Sequence, residues 1–190
     1  MEKKIVKIVI VGDSNVGKSA IINAYRGGEF YEDGYVTIGV DFDTRNVEVG
    51  DSSYQVNIWD TAGQEKYRTI VSNYYRNVSI VMAVFDLSNI GEIHRIEYWI
   101  SDVERVIDRD TFNIVIVGNK SDSYEPTEKE LSMINNLAKK HSATFYIASA
   151  KENKGISELF SESIRYAVRA GFYHTKPAIP GKRPMIKYCC

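Results

Sequence analysis

The chain has 190 residues, a formal net charge of −1 and 44% hydrophobic residues, which is typical of one soluble globular domain. No apolar run reaches the roughly 18 residues that a membrane-spanning helix needs. The first five residues lack the apolar core of a secretory signal, so we expect a cytoplasmic location. Both cysteines lie at positions 189 and 190, which excludes a disulfide-stapled body.

Apolar runs alternate with amphipathic stretches along the first 170 residues. Strands are predicted at 4–11, 40–49, 53–59, 79–85, 113–118 and 144–148. Helices are predicted at 18–26, about 66–76, 91–108, 127–140 and 155–170, with Thr127 as the N-cap of the fourth. The second and third strands form a hairpin. The pattern predicts an α/β domain over residues 1–170. Its six-stranded, mainly parallel sheet carries one antiparallel edge strand and has helices on both faces.

The predicted pattern of strands and helices stops at Gly171. Residues 171–190 contain three prolines, and six basic residues but no acidic ones follow Glu162. We therefore expect a flexible basic tail that is attracted to an anionic surface. Nucleic acid is a weaker alternative, because the tail has no aromatic residues interleaved with its charges.

The segment Gly-Asp-Ser-Asn-Val-Gly-Lys-Ser at residues 12–19, here called the phosphate loop, directly follows the first strand. Its glycines allow backbone N–H groups to surround phosphate oxygens at the start of a helix. Lys18 would reach the β- and γ-phosphates, and the Ser19 hydroxyl would bind Mg²⁺. The predicted nucleotide contacts are Asp13, Ser14, Asn15, Val16, Gly17, Lys18, Ser19 and Ala20. The motif indicates a nucleoside triphosphate without identifying the base.

Three later loops each follow a predicted strand. After the third strand, Asp60 can hold a Mg²⁺-bound water, the Gly63 N–H can approach a γ-phosphate, and the Gln64 amide can orient water. Because ligands of such sheets lie at the carboxyl ends of the strands, these groups would face the phosphate loop. Alone, Asp60 and Gly63 are equally typical of an ordinary turn at the end of a strand.

Asn119-Lys120-Ser121-Asp122 follows the fifth predicted strand. The Asp122 carboxylate can accept two parallel hydrogen bonds from guanine, a pair of donors that adenine does not offer. The Asn119 amide can brace this loop, and the Lys120 stem can lie along the base. A last loop, Ser149-Ala150-Lys151, would bring the Ala150 N–H to the guanine O6.

In order and spacing, these loops resemble the Ras-like small GTPase superfamily over residues 4–170, and the chain resembles its Rab branch. The Rab-like segments are Ile38-Gly39-Val40-Asp41-Phe42, Tyr67-Arg68-Thr69-Ile70, Tyr74-Tyr75-Arg76 and Cys189-Cys190. The resemblance implies a three-layer P-loop G domain. It also implies that Thr37 binds Mg²⁺ and the γ-phosphate, that Phe30 packs against guanine, and that Cys189 and Cys190 are prenylated. Effectors would contact Ile38, Phe42, Trp59 and Tyr74.

The resemblance further implies a GTP-binding switch in vesicle trafficking that hydrolyses GTP to GDP with Mg²⁺ as cofactor. Catalysis would involve Lys18, Thr37, Gly63 and Gln64, and the metal would be held by Ser19, Thr37 and Asp60. No arginine has an evident path to the γ-phosphate, so intrinsic hydrolysis is expected to be slow. Expected partners are a GTPase-activating protein, an exchange factor, a GDP-dissociation inhibitor or escort protein, effectors and the membrane, and the protein itself is expected to be a monomer.

Three alternatives stay open at this point. A P-loop ATPase or nucleotide kinase would need another base site, and Asp122 and Thr37 argue against it. A nucleotide-bound scaffold that does not cycle is disfavoured by Gly63 and Gln64. A Ras or Rho relative is disfavoured by residues 38–42 and by the cysteine pair.

Overall fold

A mixed β-sheet forms the centre of the computed structural model, which describes residues 2–31, 40–61 and 74–176. Within these residues the strand order is β2-β3-β1-β4-β5-β6, with β2 antiparallel to β3, the other neighbours on this path parallel, and a short β7 paired to β1. The strands are β1 Lys3–Val11, β2 Val40–Val49, β3 Ser52–Thr61, β4 Ile80–Asp86, β5 Asn113–Asn119, β6 Thr144–Ile147 and β7 His174–Lys176. The predicted α/β class, hairpin and antiparallel edge strand are confirmed.

Helices pack on both faces of this sheet. They are α1 Lys18–Arg26, α2 His94–Glu104, α3 Glu128–Lys140 and α4 Ile156–Arg169, and short 3-10 segments occupy Leu87–Glu92 and Arg109–Thr111. Thr127 caps α3 as predicted. Its N–H donates to the Glu130 carboxylate at 2.8 Å, and its hydroxyl accepts from the Glu130 N–H at 3.4 Å. This reciprocal capping box satisfies donors that the start of a helix otherwise leaves unpaired.

Two apolar cores lie on opposite faces of the sheet, because the central strands are buried on both sides. All of β5 is buried, and so is β4 except for its last residue. One core contains side chains of α1 and α4, where Tyr25 stacks on Phe160 at 3.8 Å between ring centroids. The other contains side chains of α2 and α3. The three-layer arrangement follows directly from these continuous apolar strands.

Two helix predictions differ from the structure. The stretch predicted as one helix at 91–108 is a 3-10 segment followed by α2, which ends at Glu104. The Asp86 carboxylate accepts from the Ser88 N–H at 2.9 Å and starts the 3-10 segment before the predicted helix begins. Most of the helix predicted at 66–76 lies outside the described residues, and its described end, 74–76, is not helical. The Val78 N–H donates to the Tyr75 carbonyl at 3.0 Å and closes a turn there.

The predicted end of regular structure at Gly171 was wrong by one short strand, since β7 makes the sheet seven-stranded. β4 pairs with β1 only from Ile8 onward, so the first residues of that edge of β1 are open to another partner. β7 runs antiparallel along them and places His174 opposite Ile5. Tyr173, just before β7, packs edge-on against Tyr54 at 5.4 Å. Residues 177–190, most of the predicted tail, lie outside the described residues.

Within 2–31, 40–61 and 74–176, no helix combines the length and the apolar character needed to cross a bilayer.

Candidate functional site

The phosphate loop joins β1 to α1 through backbone that leaves no room for side chains at two positions. At Gly12 (φ +143°), a Cβ would lie 2.2 Å from the Val84 carbonyl oxygen. At Gly17 (φ +93°), it would lie 2.3 Å from Asn119 Nδ2. Gly17 is also the N-cap of α1 and offers no side-chain acceptor there, so the first N–H groups of the helix are available to an anion.

Lys18 is buried at the base of this loop, with 6% of its surface exposed. Its Nζ donates to the carbonyls of Gly12 at 2.9 Å and Asp13 at 2.7 Å. Burial lowers the pKa of Lys18 to about 8, although the negative charges of Asp60 and Asp13 act in the opposite direction. A phosphate beside this ammonium would favour its charged form, so the site is suited to an anion.

The Ser19 hydroxyl donates to Asp60 Oδ2 across the start of α1 and the end of β3. Asp60 is buried, and the neighbouring Thr61 hydroxyl fastens β3 to β1 by donating to the Ile10 carbonyl at 2.7 Å. Hydroxyl and carboxylate oxygens are the hard ligands that Mg²⁺ takes, usually together with phosphate oxygens. Among the described residues, no group of three or more His, Cys, Asp or Glu side chains is arranged to hold a metal ion. Phosphate oxygens would therefore have to complete the ligand set.

Asn119, which is 2% exposed at the end of β5, connects three loops of the site. Its Nδ2 donates to the Val16 carbonyl at 2.9 Å, and its Oδ1 accepts from the Ala150 N–H at 3.1 Å. The bracing predicted for this amide is therefore present, and it reaches the phosphate loop as well. The Ala150 N–H expected to meet guanine O6 is engaged with Asn119 in this structure, so O6 would have to share that donor.

Asp122 is exposed and held in place by two serines. Ser149 Oγ donates to its Oδ1 at 2.6 Å, and Ser123 Oγ donates to its Oδ2 at 3.2 Å. The hydrogen bond from Ser149 is the main reason that the pKa of Asp122 lies below its ordinary value. The carboxylate is thus kept ionised and can accept donors from a ligand.

The remaining predicted base contacts line the same rim. Lys120 (φ +66°) forms an ion pair with Asp86 at 2.7 Å between Nζ and Oδ2. Phe30 is 40% exposed, and Lys151 Nζ lies 6.0 Å from the centre of its ring. This pairing of Asp86 with Lys120 was not predicted from the sequence. Burial raises the pKa of Asp86, but hydrogen bonds from Lys120 and Ser88 outweigh burial and lower that pKa overall.

The aromatic residues predicted to meet effectors form one group on β2, β3 and the segment before β4. Phe42 lies opposite Trp59 in the hairpin, with 4.7 Å between ring centroids, and Trp59 lies 4.9 Å from Tyr74. Phe42 is 43% exposed, which gives a partner access to the group. Several other predicted residues lie outside the described residues: Thr37, Ile38, Gly63, Gln64, Cys189 and Cys190.

Two further residues contact the phosphate loop and were missed from the sequence. Trp99 Nε1 donates to Asp13 Oδ1 at 2.9 Å, and the Arg95 guanidinium pairs with Asp13 Oδ2. Both belong to α2, and Trp99 is 86 residues from Asp13 along the chain. Their spacing of four residues predicts a shared helix face, but it does not predict what that face meets.

Sequence comparisons agree with this arrangement. A sequence model of the Ras family matches residues 7–169. Ras-related protein RABA6b of Arabidopsis thaliana is 40% identical over 158 residues, covering 83% of this chain and 69% of that protein. Ras-related protein Rab-19 of Mus musculus is 35% identical over 155 residues, covering 81% and 71%. Ras-related protein Rab-4 of Dictyostelium discoideum is 35% identical over 161 residues, covering 85% and 78%. The chain therefore belongs to the Ras family and, within it, to the Rab proteins, which are small GTPases of vesicle trafficking.

Proposed function

We propose that this Rab-family protein binds GTP with Mg²⁺, hydrolyses it to GDP and phosphate, and recruits effectors on the cytoplasmic face of intracellular membranes. The observation that carries the proposal is the position of Asn119. Its side chain joins the phosphate loop to the Ser149–Lys151 loop, with the ionised Asp122 on the same rim. Groups that suit phosphates and a group that suits guanine are thereby held at one edge of the sheet.

The phosphate side provides charge neutralisation. Lys18 and the N–H groups at the start of α1 would bind the β- and γ-phosphates and oppose the charge that develops there during hydrolysis. Ser19 and Asp60 would hold Mg²⁺ together with Thr37, and the ion would further neutralise the phosphate oxygens. The adjacent oxygens of Ser19 and Asp60 fit this ion by their chemistry.

Hydrolysis itself is assigned to Gln64, which would orient the attacking water, with Thr37 and the Gly63 N–H on the γ-phosphate. A GTPase-activating protein would supply the groups this site lacks, an effect worth roughly 10³–10⁵-fold in related systems. Single-turnover hydrolysis of bound GTP, with Gln64→Leu as the comparison, tests this assignment. Equal inertness of both forms would favour a scaffold that does not cycle.

Effector recognition is assigned to Ile38 and to the aromatic group formed by Phe42, Trp59 and Tyr74. Loss of the γ-phosphate would remove the contacts that Thr37 and Gly63 make with it. The segments around this aromatic group would then change conformation. An exchange factor would reload the protein with GTP, and a GDP-dissociation inhibitor or escort protein would carry its lipidated form. We expect the protein to be a monomer.

Membrane attachment is assigned to Cys189 and Cys190, which two prenyl groups would convert into a durable anchor. Basic residues of the tail would add attraction to anionic lipid. Replacing both cysteines by serine is expected to leave GDP binding unchanged and to move the protein entirely into the soluble fraction. Membrane association that survives this change would contradict the assignment.

Base selectivity gives the most direct test of the function. The purified protein is expected to carry GDP, and GTP but not ATP should displace a fluorescent GDP analogue. Asp122→Asn is expected to weaken GDP binding by at least about 100-fold, since guanine then meets an amide in place of a carboxylate. Asp110→Asn, in the 3-10 segment before β5, is the control. Equal affinity for GDP and ADP would contradict the proposed function.

A further inference from the structure

The contacts of the Asp13 side chain indicate a second support for the phosphate loop. It is made by residues that do not themselves contact nucleotide. Trp99 Nε1 donates to one carboxylate oxygen at 2.9 Å, and Arg95 pairs with the other. Trp99 is 3% exposed and fixed within the core below α2. Both oxygens of one carboxylate are therefore held by a single helix face.

The backbone of the same residue faces the nucleotide-binding groups. The Asp13 carbonyl accepts from Lys18 Nζ at 2.7 Å, and the Gly12 carbonyl accepts from the same ammonium at 2.9 Å. Any rotation of the peptide between Asp13 and Ser14 would move this acceptor. Asp13 thus links α2 on one side to Lys18 on the other.

The loop needs such support because its conformation is unusual. Asn15 has φ +64°, a left-handed conformation that Asn tolerates better than most residues, and it lies between Gly12 (φ +143°) and Gly17 (φ +93°). Conformations of this kind persist when surrounding contacts determine them. Asn119 holds the far end of the loop through the Val16 carbonyl, and Asp13 is held at the near end.

Arg95 is the residue of this support that can be substituted without disturbing the core. It lines a cleft between the phosphate loop and α2, together with Ser14, Asn15, Asn89 and Glu92. Its side chain is 37% exposed, so its substitution removes charge and donors without opening the core. Trp99 is buried, so its substitution would disturb the core.

We propose that Arg95 and Trp99 are positioning residues for nucleotide binding, which fix Asp13 so that the phosphate loop and Lys18 are preset before nucleotide binds. The inference rests on the proposed function, because it assumes that the loop binds guanosine phosphates. Removing the Arg95 contact should speed the release of GDP. Neither residue touches the nucleotide in this proposal, so we expect the effect to pass through Asp13.

Release of a fluorescent GDP analogue from the full-length protein, chased with excess GDP, tests this. Arg95→Gln is expected to accelerate release about tenfold, a common coupling for residues that share one hydrogen-bond network. Arg95→Lys, which keeps a positive charge beside Asp13, is expected to return the rate to within about threefold of the original. The matched control is Arg105→Gln. That arginine follows α2, is 77% exposed and pairs with Asp102, so its loss should change release by less than about twofold.

The path through Asp13 is tested by a double-mutant cycle. Asp13→Asn alone should accelerate release as Arg95→Gln does, and combining the two should add little. Multiplication of the two effects in the double variant would overturn the inference, as would unchanged release in Arg95→Gln. If the original protein binds no GDP analogue, the proposed function fails and this inference fails with it. Binding without any difference between Arg95→Gln and Arg105→Gln defeats the positioning role alone.

Discussion

The two sides of the site are built by different means. On the phosphate side, backbone approaches its neighbours too closely for a side chain, as at Gly12, and the functional Lys18 is buried. On the guanine side, exposed side chains such as Asp122 are held in place by hydrogen bonds from their neighbours. Under the proposed function the first construction would serve any nucleoside phosphate, and it leaves no room for an added Cβ at Gly12. Under the proposed function the second would decide which base is bound, and it can be altered one contact at a time.

The largest expected effect is on the phosphate side, where Gly12→Ala would place a Cβ 2.2 Å from the Val84 carbonyl oxygen. Because that oxygen belongs to the core strand β4, relief of the clash requires movement of the backbone. We expect the free energy of unfolding to fall by about 3 kcal/mol and GDP and ADP binding to fall together. Urea unfolding and nucleotide titration measure both effects.

Gly27→Ala is the matched control for this change. Gly27 also has a left-handed φ of +78°, but an added Cβ there would meet no atom within 4 Å. Its substitution should cost only about 1 kcal/mol, the conformational term by itself. Equal losses at both glycines would show that close packing of the phosphate loop is not what excludes a side chain.

A smaller and base-selective effect is expected from Ser149→Ala. This change removes the 2.6 Å hydrogen bond that chiefly lowers the pKa of Asp122. GDP affinity should fall about tenfold, the range for a hydrogen bond to a charged group, while the weak affinity for ADP stays unchanged. Exposed Ser157, on α4, supplies the control Ser157→Ala. Parallel losses for GDP and ADP would contradict the division between the two sides.

The same variant has a pH signature. An ionised Asp122 supports guanine binding at pH values above its lowered pKa, and this support is lost as the pH falls through that pKa. Without Ser149 the pKa rises, so the loss should begin at a higher pH than in the original protein. GDP titrations at a series of pH values from about 6 down to about 3.5, a range that includes the ordinary pKa of an aspartate, measure the difference.

The smallest expected effect is the uptake of protons by the phosphate side when nucleotide binds. Since burial lowers the pKa of Lys18 to about 8, this amine is mostly neutral at higher pH before nucleotide binds. Bound phosphates favour the charged form, so GDP binding at about pH 9 should take up close to one proton, and at about pH 7 almost none. Calorimetry in buffers of different ionisation enthalpy gives the count, with Lys140→Met, in an exposed ion pair, as the control. Equal uptake at both pH values would exclude Lys18 as the source.

The parts of the molecule that were predicted correctly depend on patterns within short runs of consecutive residues. The hairpin strand Val40–Val49 and the cap at Thr127 follow from local alternation and from a capping signal. The phosphate loop and the loop after β5 are short motifs that follow buried strands. Parallel strands bring such loops to one rim, and the contact of Asn119 with Val16 results from that geometry.

What the sequence did not reveal depends on contacts between distant segments. The pairing of Arg95 and Trp99 with Asp13 requires knowing how α2 packs beside β1, which no local pattern encodes. The strand β7 forms because β4 leaves the first residues of β1 uncovered, and that register is set by the sheet as a whole. The roles assigned to Thr37, Gly63 and Gln64 stay predictions.

The pairing of β7 with β1 puts both ends of the folded domain at one place, because Lys176 lies opposite Lys3. The carboxyl ends of the parallel strands, with the proposed nucleotide site, lie at the opposite end of the domain. If Cys189 carries the lipid, the length of residues 177–188 allows at most about 40 Å between the end of the domain and the bilayer. A reporter fused ahead of residue 2 would then crowd the space between the domain and the bilayer. The pole that regulators must reach would stay clear.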